Sequence, residues 1–233
     1  MHTASHAQQT GDHAPRLAQE LASMRQHFAS ELPIDVRRAM DDATATLVTS
    51  GQARRTLQPG QCIVDFVLPD ALGRPAASMA LRAGGPLLIT FYRGEWCPYC
   101  NLALRALQRE LPAITARGVT LVAISPEQPD HALTLQEKHG LALPVLSDQG
   151  NAVARSFGLV FALPPKLRPV YASLGLDLPD RNGDASHELP MPGSFLVDRE
   201  GIVLATAVQA DYRTRLEPAD ALDWIDRLLP TAS

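Results

Sequence analysis

The chain has 233 residues, a formal net charge of −4, 45% hydrophobic and 20% charged side chains, and three cysteines. That balance offers no basic face for nucleic acid, no run near the ~20 apolar residues of a membrane span, and too few cysteines for a disulfide framework. A soluble protein of the cytoplasm is expected, with one domain and an extension.

Residues 1–16 make a polar tail with His2, His6 and His13, without the apolar centre of a secretory signal, and are expected to be disordered. Residues 17–50 read as a helical extension. Leu17, Leu21, Met24 and Phe28 recur at three- and four-residue steps, and after Pro33 the set Ile34, Val36, Met40 and Leu47 predicts a second helix. Such a pair cannot fold alone, so it is expected to pack on the main domain or on a second copy in a homodimer. Residues 51–233 form the main domain, opening with a polar linker, Gly51 to Gly60.

Ile63 to Asp70 alternates as a strand and turns at Gly73-Arg74-Pro75, with Ser78 to Leu81 as its expected hairpin partner. Cys62, at the start of this strand, reads as a small, partly buried apolar residue. Leu87 to Arg93 is a buried strand, and a helix runs from Pro98 to about Arg117 with Leu104, Leu107, Leu111 and Ile114 inward and a kink at Pro112. Val119 to Ser125 is a continuous apolar strand of the kind buried on both faces of a parallel sheet.

A polar helix over Pro129 to His139, a short strand over Leu141 to Leu146 and a helix over Asn151 to Phe157 follow. Phe161 to Leu178 interrupts the pattern with Pro164, Pro165 and Pro169 around a helical stretch, Lys166 to Leu174, before a Pro-, Asp- and Gly-rich loop to His187. An insertion of this length is a functional or a packing device. A strand hairpin, Ser194 to Asp198 and Ile202 to Ala205, leads to a closing helix, Glu217 to Leu229, with Leu222, Ile225, Leu228 and Leu229 inward. The order implies an α/β fold: a central mixed sheet flanked by helices, with reactive groups at the carboxyl end of the central strand.

That end carries Trp96-Cys97-Pro98-Tyr99-Cys100. Pro98 suits the first helical position, which places Cys97 at the helix N-terminus and Cys100 one turn on, along the same face. Unpaired N–H groups and the helix dipole there favour a thiolate, and lowering a cysteine pKa from about 8.5 to about 7 raises its ionised share at neutral pH from a few per cent to about half. A redox pair is the reading that fits. Structural zinc usually takes four Cys or His ligands, and Cys62 with no suitably spaced His does not complete a set; no metal or cofactor is expected.

These features together resemble the peroxiredoxins of the alkyl hydroperoxide reductase and thiol-specific antioxidant family, within the thioredoxin-fold superfamily. The likeness rests on Val64 to Asp70 with Gly73, Phe91-Tyr92-Arg93-Gly94, the Cys-Pro-Tyr-Cys motif, Leu174 to Asp184, Pro192 before its strand, and Asp211 to Arg215. It implies a thioredoxin-like fold, with Cys97 as attacking and Cys100 as resolving cysteine. It implies that Pro192 is a cis-proline offering backbone pairing to a partner chain; Trp96 and Arg93 are candidate supporting residues, with Arg93 either a positive charge near Cys97 or a surface or salt-bridged side chain. It further implies a hydroperoxide substrate and a thioredoxin-like reductant.

The chain departs from the pattern where Gly94 replaces a Thr or Ser three residues before the attacking cysteine, and the later-strand arginine is not evident. Glu95, if close and ionised, opposes the thiolate. Three activities fit these residues: a thiol peroxidase, a thiol–disulfide oxidoreductase acting on proteins, and a non-enzymatic redox sensor.

Overall fold

The computed structural model describes residues 16–131 and 138–229. The polar tail and most of the helix expected over Pro129 to His139 lie outside these residues. Helices α1 (Leu17–Glu31) and α2 (Ile34–Thr49) come first. Then follow β1 (Val67–Pro69), β2 (Pro75–Ala77), α3 (Ser78–Ala83), β3 (Leu87–Phe91), α4 (Pro98–Ala116), β4 (Thr120–Ser125) and β5 (Val145–Ser147). The chain continues through α5 (Ala152–Ser156), β6 (Val160–Ala162), α6 (Arg168–Ser173), α7 (Leu178–Asn182), β7 (Glu188–Pro190), β8 (Gly193–Val197), β9 (Val203–Val208) and α8 (Pro218–Leu228).

Five strands form the central sheet in the order β5-β4-β3-β8-β9, parallel from β5 to β3 and antiparallel through β8 and β9. The period-two rule assigns its faces. Leu88, Leu121, Ala123 and Leu196 point to one side, where they meet Leu17 and Leu21 of α1, Leu104, Leu107 and Ile114 of α4, and Ala221 and Ile225 of α8. Leu87, Ile89, Phe91, Val122, Ile124, Phe195 and Val197 point to the other, against Phe66, Leu68, Val153, Phe157 and Met191. The expected mixed sheet with helices on both faces is thus present.

The helical extension packs on the rest of this chain. Glu217, just before α8, accepts from the backbone N–H groups of Leu17 and Ala18 at 3.3 and 2.6 Å, capping α1 from the far end of the sequence. Ala43 of α2 joins Leu163, Leu167, Tyr171, Leu178 and Leu189 in a third apolar cluster, so the insertion after β6 is clamped against α2.

Several local expectations are corrected. The first hairpin pairs β1 with Pro75–Ala77, not with Ser78 to Leu81, and the latter stretch is helical. Ser78 fixes that switch: its N–H donates to the Phe66 carbonyl at 2.9 Å, and its hydroxyl oxygen accepts from the Phe66 N–H at 3.1 Å. Cys62 is exposed, because Ile63 takes the inward position beside it. Gly51 to Gly60 is not a free linker: Gln52–Arg55 forms a 3-10 turn, and Gln52 donates to the Val160 carbonyl at 2.6 Å. In α8, Leu228 is 43% exposed and Trp224 packs on the core instead. The loop leading to His187 contains α7, whose N-cap Asp177 accepts from the Asp180 N–H.

Candidate active site

Beyond β3 the chain continues extended through Tyr92, whose N–H donates to the Ile124 carbonyl at 3.0 Å, and then turns. Gly94 makes the turn at φ +148°, where an added Cβ would lie 2.3 Å from the Trp96 indole nitrogen and 2.8 Å from the Glu127 carboxyl carbon. Only glycine fits there. Cys97 is the N-cap of α4 with Pro98 as the first helical residue, and its carbonyl accepts from the Cys100 and Asn101 N–H groups at 2.9 and 3.1 Å. The sequence-predicted pair therefore shares one helical turn. Neither cysteine is in a disulfide, and neither has exposed surface.

Each sulfur has its own guanidinium. Arg93 Nη2 lies 3.1 Å from Cys97 Sγ, and Arg215 Nη2 lies 3.1 Å from Cys100 Sγ. Arg93 is buried, donates through Nη1 to the Tyr171 hydroxyl at 3.2 Å, and is sandwiched 4.0 Å from the Tyr212 ring and 4.9 Å from the Trp96 ring. Among the described residues no carboxylate pairs with it. A buried cation without a carboxylate has to find its anion elsewhere, and Cys97 is within reach.

Burial alone would push the Cys97 thiol up. The hydrogen bond from Cys100 and the charges of Arg93 and Arg215 outweigh it and hold Cys97 well below the ordinary cysteine value. Cys100 goes the other way, raised by burial, by its hydrogen bond to Cys97 and by the Cys97 charge. The opposite shifts make Cys97 the more acidic of the two, with the Cys100 thiol as the donor to its sulfur.

Glu95 does not oppose that thiolate as anticipated. Burial raises its carboxyl, but Lys138 at 2.8 Å and Arg181 at 3.5 Å hold it below the usual range and answer its charge. Arg181 also reaches Glu127 at 3.2 Å, and Glu127 accepts from the Glu95 N–H at 2.6 Å. Burial pushes the Glu127 carboxyl up to about 7, against the Glu95 N–H and Arg181, which pull it down.

Pro192 lies at the site but not as anticipated. No cis peptide bond occurs among the described residues. The Met191 N–H already donates to the Leu159 carbonyl at 2.9 Å and the Pro192 carbonyl accepts from Gln209 N–H at 3.0 Å. The extended path between β7 and β8 thus suits a trans bond and leaves neither group for a partner chain.

Two cavities, of about 390 and 420 Å³, meet at Arg93, Tyr171, Tyr212 and Met40. Phe28 of α1, Leu32 just after it, Met40 of α2 and Leu176 beyond α6 line the larger one together with Arg93, Trp96 and Pro98, so the helical extension and the insertion wall the cavity beside Arg93. Trp96 stacks edge-on to Tyr171 at 5.7 Å in this wall.

Sequence reasoning missed Tyr171, Tyr212, Arg215 and Glu127. The insertion was visible as an interruption, and Asp211 to Arg215 as part of the resemblance, but neither pattern says which side chain reaches a sulfur. Glu127 follows β4 at the same sheet end as Cys97, and position was its one signal.

The comparisons with known proteins agree with this architecture. The sequence profile described as the AhpC/TSA family matches residues 59–206. A peroxiredoxin-named protein of Mycobacterium tuberculosis is 32% identical over 102 residues, 44% of this chain and 64% of that relative, so this chain matches just under two thirds of its length. Peroxiredoxin Q of Populus jackii is 25% identical over 170 residues, 73% of this chain and 67% of the relative. The crystal structure of the peroxidoxin BcpB from Mycobacterium tuberculosis superposes with a TM-score of 0.60 at 20% identity, covering 75% of this chain and 99% of that one. The matched profile takes in four strands of the sheet and most of β9, both cysteines and Pro192, and on that ground the chain belongs to the AhpC/TSA family.

Proposed function

We propose that this protein is a thiol peroxidase in which Cys97 reduces hydrogen peroxide or an organic hydroperoxide, Cys100 resolves the product, and a thioredoxin-like dithiol restores the pair. The observation that carries the reading is the buried Arg93 guanidinium, 3.1 Å from Cys97 Sγ and paired with no carboxylate among the described residues. A thiolate held by a desolvated cation is the nucleophile peroxide cleavage needs, and the same guanidinium can steady charge developing on the peroxide oxygens.

The steps follow from that arrangement. Cys97 Sγ attacks the terminal peroxide oxygen, the O–O bond breaks, and the alkoxide or hydroxide takes a proton, leaving sulfenic acid on Cys97. Cys100 then attacks the Cys97 sulfur, water departs and a disulfide closes across one helical turn. A dithiol donor returns both electrons and is itself oxidised.

The second reading, exchange with a protein disulfide, is favoured by the Cys100 thiol poised on Cys97 and by Gly94 in place of a hydroxyl residue. Against it, Cys97 has no exposed surface and the backbone at Met191 and Pro192 is already paired, whereas a hydroperoxide is small enough to reach the cavities.

Rapid mixing of the reduced protein with hydrogen peroxide and with an alkyl hydroperoxide tests the choice. Oxidation should be second-order in peroxide and abolished in Cys97→Ser. Slow oxidation together with efficient insulin reduction would transfer the assignment to disulfide exchange.

A further inference from the structure

Arg215 lies in the segment after β9 and is fastened before it reaches the sulfur. Its Nη1 donates to the Tyr212 carbonyl and, at 2.7 Å, to the Thr214 carbonyl, which leaves Nη2 aimed at Cys100 Sγ at 3.1 Å. Among the described residues no carboxylate pairs with it. The guanidinium is half-buried, whereas Cys100 has no exposed surface. It therefore brings positive charge to a sulfur that is a neutral thiol in the resting state, while Cys97 has Arg93 for itself.

Chemistry gives that placement a purpose. In the resting pair burial, the hydrogen bond to Cys97 and the Cys97 charge all raise the Cys100 thiol. Oxidation of Cys97 to sulfenic acid removes the charge, and with it the main electrostatic objection to ionising Cys100. We propose that Arg215 is the counter-cation of Cys100, holding its sulfur as an anion while it attacks oxidised Cys97 and again while it departs when a donor thiolate opens the disulfide. In the first step the Cys100 proton leaves, a Cys100–Cys97 S–S bond forms, the Cys97 S–O bond breaks, and the departing hydroxide with one proton becomes water. In the second, the donor sulfur bonds to Cys97, and the S–S electron pair stays on Cys100 beside Arg215 until a proton arrives. The proposal rests on reading Cys97 and Cys100 as a reacting pair but does not require the oxidant to be a peroxide.

Two measurements separate this proposal from the peroxidase reading. In the full chain, Trp96 beside the site reports two phases after mixing with hydrogen peroxide: oxidation of Cys97, whose rate follows peroxide concentration, and disulfide closure, whose rate does not. Arg215→Met should slow the second phase about tenfold or more at neutral pH, the effect of losing an opposite charge at contact distance, and slow the first by clearly less, because Arg93 remains 3.1 Å from Cys97 Sγ. Raising the pH should recover the second phase, and Arg215→Lys should restore part of it. Equal slowing of both phases, or no slowing, overturns the proposal.

The other measurement needs no peroxide. In a Cys62→Ser/Cys97→Ser background, thiolate absorbance of Cys100 is followed against pH with Arg215 present and with Arg215→Met. The ionisable groups facing Cys100 are then Arg93, Tyr92, Tyr171 and Arg215. Loss of Arg215 should move the transition to higher pH by about one unit or more. An unmoved transition overturns the role of Arg215 while leaving a fast first phase, and so the peroxidase, intact. A moved transition without any peroxide-dependent phase keeps the role and removes the peroxidase.

Discussion

Arg93 and Glu95 stand two residues apart on one loop, yet their charges are handled in opposite ways. Glu95 belongs to a cluster of matched signs, with Lys138, Arg181 and Glu127 within ion-pair or hydrogen-bond reach of one another. Arg93 belongs to a buried aromatic box of Trp96, Tyr171 and Tyr212, and its ionisable neighbour is a sulfur. Matched charges fix the loop. An unmatched one makes it reactive, because the cation is complete only when Cys97 is ionised.

The largest effect should come from emptying the unmatched side. Arg93→Met removes an opposite charge at contact distance, worth one to three pKa units, so peroxide-dependent oxidation at neutral pH should fall about a hundredfold. It should also change the pH dependence of folding. Held low in the native state, Cys97 contributes stability that is fully present above its unfolded value of about 8.5 and lost as pH falls through its depressed native value. Denaturant titrations of the reduced protein across that window should show a flatter slope in Arg93→Met. An unchanged slope and rate would mean that the helix N-terminus alone holds the thiolate.

The matched side should answer in stability. With its native carboxyl raised from 4.5 to about 7, Glu127 makes the wild type less stable as pH climbs through that interval, by roughly 3 kcal/mol in all. Glu127→Gln should flatten this decline in urea melts taken across the interval. A decline that persists in the variant would show that the carboxyl titrates at an ordinary value in the native protein. The smallest effect is expected at Cys62, exposed beside the isolated bridge to Ile202 and away from both clusters. Cys62→Ser should leave steady-state turnover within about twofold, as surface changes usually do, and a larger loss would place a third thiol in the cycle.

The reactive turn was legible because its causes are local. An apolar run ending at Phe91, a glycine, and a proline one residue after Cys97 specify strand, turn and helix from neighbouring residues alone. The mixed sheet was legible for a related reason, since a short apolar run such as Leu121 to Ile124, rich in β-branched residues and preceded by Gly118, fits a strand buried on both faces. The charge environment was not. Arg93 is buried by Tyr171 and Tyr212, which arrive from an insertion and from the segment beyond the last strand, and nothing near Arg93 in the chain announces them. Arg215 reaches Cys100 across 115 positions. Pro192 was not legible for the same reason: whether its neighbours are free to pair with a partner depends on Leu159 and Gln209, whose places are set by tertiary packing.

Gly94 also limits what this turn can be made to carry. The indole of Trp96 and the carboxyl of Glu127 fill the volume a side chain there would need. A serine or threonine could enter only if both neighbours shrank, and with them would go an aromatic wall of the Arg93 box and the anchor of the Glu95 amide. No single substitution at this position can therefore add a hydroxyl to the turn while keeping its present packing.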